Sequence, residues 1–229
     1  MIKTLYYKNK RVTYHVQGQG QPVLLIHGFG EDGDIWKYQA EVLEKSFLLI
    51  IPDLPGSGFS AYNEVFETIE DFAGCMAAIL FHENIKHTIV LGHSMGGYIM
   101  LALKEKYADL VQAFGLVHST AFADSEEKKE IRRNGINAIA EYGGYAFLKT
   151  TIPNLFDITF KRQFPERVNE LIERGNNFPD KALQQYYRAM MLRKERKALL
   201  PDSEAPVLFV MGTGDAAVPM QDVLQQVSL

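Results

Sequence analysis

The stretch TIVLGHSMGGY, residues 88–98, decides the fold of this chain. Its apolar run ends at Leu91, and the turn Gly92-His93-Ser94-Met95-Gly96 leads from there into an amphipathic helix pattern. A buried strand that turns sharply into a helix exposes the serine hydroxyl and strains its backbone. Glycine suits both ends of such a crowded turn, because a Cβ there would collide with the neighbouring strand or helix. The stretch therefore predicts that Ser94 is a nucleophile.

A serine hydroxyl is a poor nucleophile, so the chemistry also needs N–H donors for the oxyanion that develops during attack. The Met95 N–H opens the helix after the turn, where the helix dipole favours negative charge. A second glycine-rich turn, His27-Gly28-Phe29-Gly30, follows an earlier apolar run and allows close approach of backbone to substrate. We predict that the N–H groups of Phe29 and Met95 form an oxyanion hole, that Gly28 lies beside the substrate, and that His27 holds the loop.

Around these two turns, short apolar runs alternate with longer helical patterns. Five runs are almost continuously apolar: PVLLIH (22–27), FLLIIP (47–52), HTIVLG (87–92), VQAFGLVH (111–118) and APVLFVMG (205–212). Strands that are buried on both faces have this composition, which is typical of a parallel sheet between helix layers. An exposed hairpin around Lys8-Asn9-Lys10 precedes them. The predicted fold class is α/β, with a mostly parallel central sheet flanked by helices.

The alternation breaks after His118. Residues 119–201 are charged, carry apolar residues at helical spacing and contain no convincing strand pattern. This block predicts a helical lid inserted between two parts of the core, residues 1–118 and 202–229. Its aromatic and methionine side chains either line an apolar pocket or pack the lid onto the body, and packing is the favoured interpretation for any one of them.

Composition excludes several classes of function. Of the 229 residues 47% are hydrophobic, and the formal net charge is −4, so no basic field attracts nucleic acid or an anionic membrane. No apolar run is long enough for a membrane span or a secretory signal, and the expected compartment is the cytoplasm. Cys75 is the single cysteine, which excludes an intrachain disulfide, and we expect it to be a buried structural thiol. No metal or organic cofactor is implied, and the sequence leaves the oligomeric state open.

A candidate acid follows the last apolar run. Asp215 lies in VLFVMGTGDAAVP, on a loop at the carboxyl end of the predicted strand, where the acid of a catalytic triad belongs. Asp124, soon after the preceding strand, is the alternative acid.

Together these segments resemble the α/β-hydrolase family over essentially the whole chain. HGFG, DLPGSGFS (53–60), GHSMGG and GTGDAAVP stand in the order and spacing of that family. The resemblance implies an α/β-hydrolase fold with an eight-stranded, mostly parallel sheet and a Ser…Asp…His triad in that chain order. It assigns Ser94 as nucleophile, Asp215 as acid, and the backbone of Phe29 and Met95 as the oxyanion hole.

The sequence departs from the family pattern at the base. The triad histidine should follow Asp215 after one more helix and strand, but the last histidine is His118 and the sequence stops at Leu229. We expect the gene product to continue past Leu229 with the last strand and helix of the sheet; the alternative is an incomplete enzyme that has lost most of its turnover. His118 ends a strand at the same sheet edge as Ser94, and we expect it to line the substrate pocket rather than to act as the base.

The nucleophile narrows the reaction class. Family members that dehalogenate or open epoxides have aspartate at this position, whereas this chain has Ser94. We therefore expect acyl transfer from a small-molecule ester or related substrate through an acyl-enzyme. Members that cleave carbon–carbon bonds or make peracids share these motifs, and a ligand-binding or signalling protein without turnover is the alternative from another class.

Overall fold

Seven strands form one sheet in the computed structural model, which describes residues 1–229. In chain order they are β1 (Ile2–Tyr7), β2 (Lys10–Gln17), β3 (Gln21–Ile26), β4 (Phe47–Pro52), β5 (Thr88–His93), β6 (Val111–Val117) and β7 (Val207–Val210). Their spatial order is β1-β2-β4-β3-β5-β6-β7. The pairs β1–β2 and β2–β4 are antiparallel, and every pair from β4 across to β7 is parallel.

The predicted strands are confirmed, with one difference in number. All five apolar runs form the parallel part of the sheet, and the hairpin turns at Lys8 and Asn9, whose φ angles of 47° and 64° give the twist that a two-residue hairpin needs. The resemblance implied eight strands, and the structure has seven. β7 is consequently an edge strand that pairs with β6 alone, and the side chains of Leu208 and Val210 on it are exposed.

Nine helices cover the sheet and extend beyond it. They are α1 (Lys37–Leu43), α2 (Ile69–His82), α3 (Met95–Lys106), α4 (Glu126–Tyr142), α5 (Gly144–Thr151), α6 (Ile158–Gln163), α7 (Pro165–Arg174), α8 (Asp180–Leu192) and α9 (Met220–Val227). Thr68 caps α2 in a reciprocal capping box with Asp71, which fixes where that crossover helix begins.

Alternate residues of the central strands enter two different apolar clusters. Leu24 and Ile26 of β3 belong to the large cluster that includes α2 and α3. Val23 and Leu25 of the same strand pack with Trp36 and its neighbours in a small cluster on the other face. Burial on both faces explains why these strands are apolar at every position.

Helices α4 to α8 lie between β6 and β7 and are called the helical insertion below. The sequence pattern predicted helices over this block; the KRQFPERVNELIERG segment is two helices, because Phe164 ends one and Pro165 begins the next. Proline suits the first position of a helix, where its missing N–H has no partner to lose. The limits 119–201 for a separate lid stay a prediction.

Two further sequence expectations meet the structure here. Cys75 is buried in α2, and this burial raises the pKa of its thiol to about 12, as suits a packing residue. None of the nine helices is long and apolar enough to cross a bilayer.

Candidate active site

Ser94 sits in the strained turn that the sequence predicts. Its φ and ψ are 50° and −117°, in a region that side-chain-bearing residues rarely adopt, and it immediately precedes α3. A Cβ on Gly92 would overlap the backbone of Gly96, and a Cβ on Gly96 would overlap the Ile26 carbonyl oxygen. The turn is therefore built by direct contact of backbone with backbone.

Val117 at the end of β6 and Ser119, two residues further on, hold the turn from the side. The Ser94 N–H donates to the Val117 carbonyl at 2.9 Å, and the Ser119 hydroxyl donates to the Ser94 carbonyl at 2.7 Å. The N–H and the carbonyl of Ser94 are therefore both hydrogen-bonded, which opposes any rotation of the backbone that would relieve the strain.

The HGFG loop is anchored by His27, as expected. This side chain is fully buried; its Nε2 accepts the Leu54 N–H at 2.9 Å, and its Nδ1 lies 2.9 Å from the Gly28 carbonyl oxygen. Because Nε2 accepts, Nδ1 carries the proton and donates. The ring therefore fixes the loop against the start of the DLPGSGFS turn.

Phe29, predicted as an oxyanion donor, has a free backbone N–H and a closely packed ring. Its N–H donates to no protein acceptor, while its ring stacks on Tyr187 of α8 with centroids 4.2 Å apart and planes 2° from parallel. The neighbouring Gly28 packs directly on the serine, since a Cβ built there would lie 3.0 Å from the Ser94 Cβ. The structure thus brings the glycine-rich loop, the turn at Ser94 and the helical insertion together.

A carboxylate that sequence reasoning missed joins the loop to the turn. Glu31 Oε2 accepts the Gly28 N–H at 2.8 Å and lies 2.8 Å from His93 Nδ1. Burial would raise the pKa of Glu31, but the contact with His93 outweighs it and the pKa is lowered; burial would lower the pKa of His93, but Glu31 raises it. Glu31 lies one residue past the HGFG turn and belongs to no motif in the sequence, so local pattern gives no signal for this pair.

Asp215 and His118 are in direct contact. His118 Nδ1 lies 2.7 Å from Asp215 Oδ2, and the other carboxylate oxygen accepts the N–H groups of Ala217 and Val218 at 2.9 Å each. Burial would raise the pKa of Asp215, but the hydrogen bonds from His118 and the two amides outweigh it, so the pKa is lowered and the carboxylate stays charged. The sequence placed both residues at one sheet edge but did not pair them.

Asp124, the alternative acid, contacts no imidazole. Its carboxylate is fully buried between Arg132 Nε at 2.6 Å and Arg193 Nη1 at 2.8 Å. Burial would raise its pKa, but Arg132 and Arg193 lower it. The carboxylate fastens α4 and the segment after α8 to the core, and the structure gives it no position for triad chemistry.

An open groove of about 650 Å³ lies between α1 and the insertion helices α6 and α7. Three phenylalanines line it: Phe156 and Phe160 are stacked with centroids 5.3 Å apart, and Phe164 is tilted against Phe160 with centroids 5.2 Å apart. The cations at its rim are neutralised, since Lys37 contacts Glu170 and Arg174 contacts two aspartates. No group of three or more His, Cys, Asp or Glu side chains is arranged to hold a metal ion in the chain.

A mostly parallel sheet, a strained serine at the turn from β5 into α3 and a carboxylate beyond β7 are features of the α/β class of hydrolases. The family model for the alpha/beta hydrolase fold matches residues 21–228, and the chain belongs to that family.

Relatives of this chain include esterases. The pimeloyl-[acyl-carrier protein] methyl ester esterase of Vibrio atlanticus is 27% identical over 231 aligned residues, which span 96% of this chain and 84% of that protein. The (E)-2-((N-methylformamido)methylene)succinate hydrolase of Acinetobacter baylyi is 32% identical over 117 residues, 51% of this chain and 44% of that one.

Solved structures agree on the fold. A thermophilic esterase from Thermogutta terrifontis superposes with a TM-score of 0.92 at 28% identity, covering 100% of this chain and 86% of that one. The enol-lactonase from Burkholderia xenovorans gives a TM-score of 0.91 at 20% identity, covering 99% and 87%, and so matches in fold alone.

Proposed function

We propose that this chain is a serine hydrolase that cleaves a small ester or related acyl substrate through an acyl-enzyme at Ser94. The observation that carries the proposal is the strained serine at the start of α3, packed against the Gly28–Phe29 loop whose Phe29 N–H has no protein acceptor. A free N–H beside an activated serine suits an oxyanion that develops only during attack.

In the proposed reaction, Ser94 Oγ attacks the acyl carbon while its proton passes to the triad imidazole that the family pattern places downstream of Asp215. The N–H groups of Phe29 and Met95 stabilise the tetrahedral oxyanion, and the helix dipole of α3 adds to this. The alcohol leaves with the proton that the imidazole returns, and water then attacks the acyl-enzyme through the same imidazole. Asp215 stays charged throughout and stabilises the imidazolium.

The imidazole that Asp215 contacts in this structure is His118. The family pattern places the base downstream of the acid instead, and we propose that His118 lines the site and holds the Asp215 carboxylate in position. Its ring is about one third exposed, which suits a wall of the pocket.

For the substrate, we propose an uncharged ester with an apolar group. The aromatic rings that pack on Phe29 beside the serine, those of Tyr187 and Phe147, favour such a group over an anion. The esterase names of the Vibrio and Thermogutta relatives support an ester as the substrate. We also propose that the protein is located in the cytoplasm. The helical insertion is proposed to act as a lid.

The test is hydrolysis of short-chain p-nitrophenyl esters together with labelling by a fluorophosphonate and peptide mapping. We expect the label on Ser94, and we expect Ser94→Ala to lower kcat/KM by about three orders of magnitude or more. Ser46→Ala, at an exposed serine between α1 and β4, is the matched control and should be fully active. Labelling at another residue, or an active Ser94→Ala protein, would overturn the proposal.

A further inference from the structure

Glu31 stands at the junction of the two segments that form the proposed oxyanion hole. One oxygen of its carboxylate receives hydrogen bonds from the Gly28 N–H and from His93 Nδ1, both at 2.8 Å. Gly28 directly precedes Phe29, and His93 directly precedes Ser94. A single side chain therefore connects the residue before the oxyanion donor with the residue before the nucleophile.

The contact is protected from water. The Glu31 and His93 side chains are 12% and 24% exposed, and the His93 ring lies edge-on to Trp36 with centroids 6.4 Å apart. A charge-assisted hydrogen bond in such surroundings is stronger and better oriented than one at an open surface.

The N–H and the carbonyl of Gly28 are held by two different side chains. His27 contacts the Gly28 carbonyl, which belongs to the following peptide, so Glu31 alone holds the Gly28 N–H. Two opposite anchors then fix both peptide planes that lead to the Phe29 N–H. Oxyanion donors act only when they are held within roughly 0.5 Å of the productive position.

We propose that Glu31 and His93 are positioning residues that lock the HGFG loop onto the nucleophile turn and so hold the oxyanion hole in its working geometry. The catalytic part of this inference rests on the proposed function. The locking itself is a property of the protein without substrate and is measurable without turnover.

Two carboxylates favour the charged form of His93, and two further imidazoles lie near the pair. Asp215 and Glu31 face His93 and favour its imidazolium, the His118 ring lies edge-on to it at 6.0 Å, and His27 faces Glu31 from the loop. Above the raised pKa of His93 the neutral ring donates a weaker hydrogen bond. The lock should therefore loosen on the alkaline side, and kcat should fall there.

The experiment compares Glu31→Gln, Glu31→Ala, His93→Asn and His93→Leu with the control Glu41→Gln, at an exposed position of α1 without a partner. Asparagine places an amide nitrogen close to where Nδ1 stands, so His93→Asn keeps a donor and removes the titration. Measured quantities are kcat and KM for p-nitrophenyl butyrate against pH, and hydrogen exchange of the Gly28 amide by NMR.

We expect Glu31→Ala and His93→Leu to lower kcat by about 10- to 100-fold with little change in KM, because a donor misplaced by about an ångström has that effect. Gly28 exchange should accelerate in both. Glu31→Gln and His93→Asn should recover most of kcat, and His93→Asn should lose the alkaline decline.

If hydrogen exchange of the Gly28 amide is unchanged in Glu31→Ala, the proposed lock is wrong, whatever the activity of that variant. Faster exchange with wild-type kcat shows that the loop is held but not for catalysis, which also overturns the inference. If wild-type protein has no esterase activity while Gly28 exchange responds as expected, the proposed function fails and the lock stands.

Discussion

His118 and Asp215 are 97 residues apart in the sequence and are joined by a 2.7 Å contact between Nδ1 and Oδ2. His118 follows β6, and Asp215 follows β7, so the register Val117↔Val210 between those strands brings the two side chains together. The whole helical insertion lies between them in the chain. The position of the Asp215 carboxylate, the proposed acid, therefore depends on the edge strand forming correctly after five intervening α-helices.

The acid is tested by Asp215→Asn. If Asp215 stabilises the imidazolium that forms during attack, kcat should fall by about 10⁴ while KM changes little. Steady-state kinetics with a p-nitrophenyl ester give both numbers. A nearly silent Asp215→Asn would show that Asp215 is not the acid of the reaction.

For His118, the informative variant is His118→Phe, which keeps a ring and removes the hydrogen bond to Asp215. A hydrogen bond to a charged group contributes about 1.5–3 kcal/mol, so we expect kcat to fall by about 10- to 100-fold. The Asp215 pKa should rise towards its ordinary value, which carbon-13 NMR of the labelled carboxyl can follow. Inactivation as deep as that of Ser94→Ala would identify His118 as the base.

The buried ion pairs of Asp124 are expected to govern stability. Asp124→Asn leaves Arg193 and Arg132 without their charge partner, and breaking a buried pair in this way costs about 3–5 kcal/mol. Urea unfolding at pH 7 measures the loss, with Glu126→Gln at an exposed salt bridge as the control. Because the folded pKa of Asp124 is lowered, the stabilisation is present above its ordinary pKa of about 3.9 and should disappear as the pH falls through the folded value.

Gly96→Ala should damage the nucleophile turn, because the new Cβ would overlap the Ile26 carbonyl oxygen and neither backbone can move aside. We expect a loss of about 1–3 kcal/mol of stability together with esterase activity. Gly74→Ala is the matched control: its Cβ would meet only the Tyr7 hydroxyl, the end of a long side chain, and alanine favours the helix. Equal behaviour of the two variants in thermal unfolding would contradict the backbone contact described for Ser94.

Exposed apolar groups on the edge strand predict self-association of the 229-residue chain. The side chains of Leu208 and Val210 are 50% and 42% exposed beside unpaired backbone groups of β7. Sedimentation velocity at rising concentration should show larger species, and Leu208→Lys should reduce them. Leu155→Lys, which removes an equally exposed leucine from the insertion, should not; if it works as well, the association is not through the edge.

The parts of this protein that sequence could predict are those built from local pattern. The strand–turn–helix around Ser94 and the hairpin at Lys8-Asn9 follow from neighbouring residues, and the structure has both where they were expected. Glu31 was not found, because its partners Gly28 and His93 come together only when β3 and β5 pair. Asp124 carried the right residue type for an acid; its buried arginine partners, on α4 and after α8, decide otherwise.

The turn that holds Ser94 is packed by contacts between backbone atoms, whereas the Phe29 ring is packed by contacts between side chains. A substitution can change the size of a packed side chain by a few atoms. Where a glycine contacts a carbonyl oxygen, every substitution adds a Cβ for which there is no room. Laboratory selection for a new substrate, starting from this chain, should therefore accumulate its changes in the helical insertion, around Tyr187 and Phe147. The turn from β5 into α3 should remain unchanged in such a selection. The selected variants should therefore keep the same reaction and differ in their substrates.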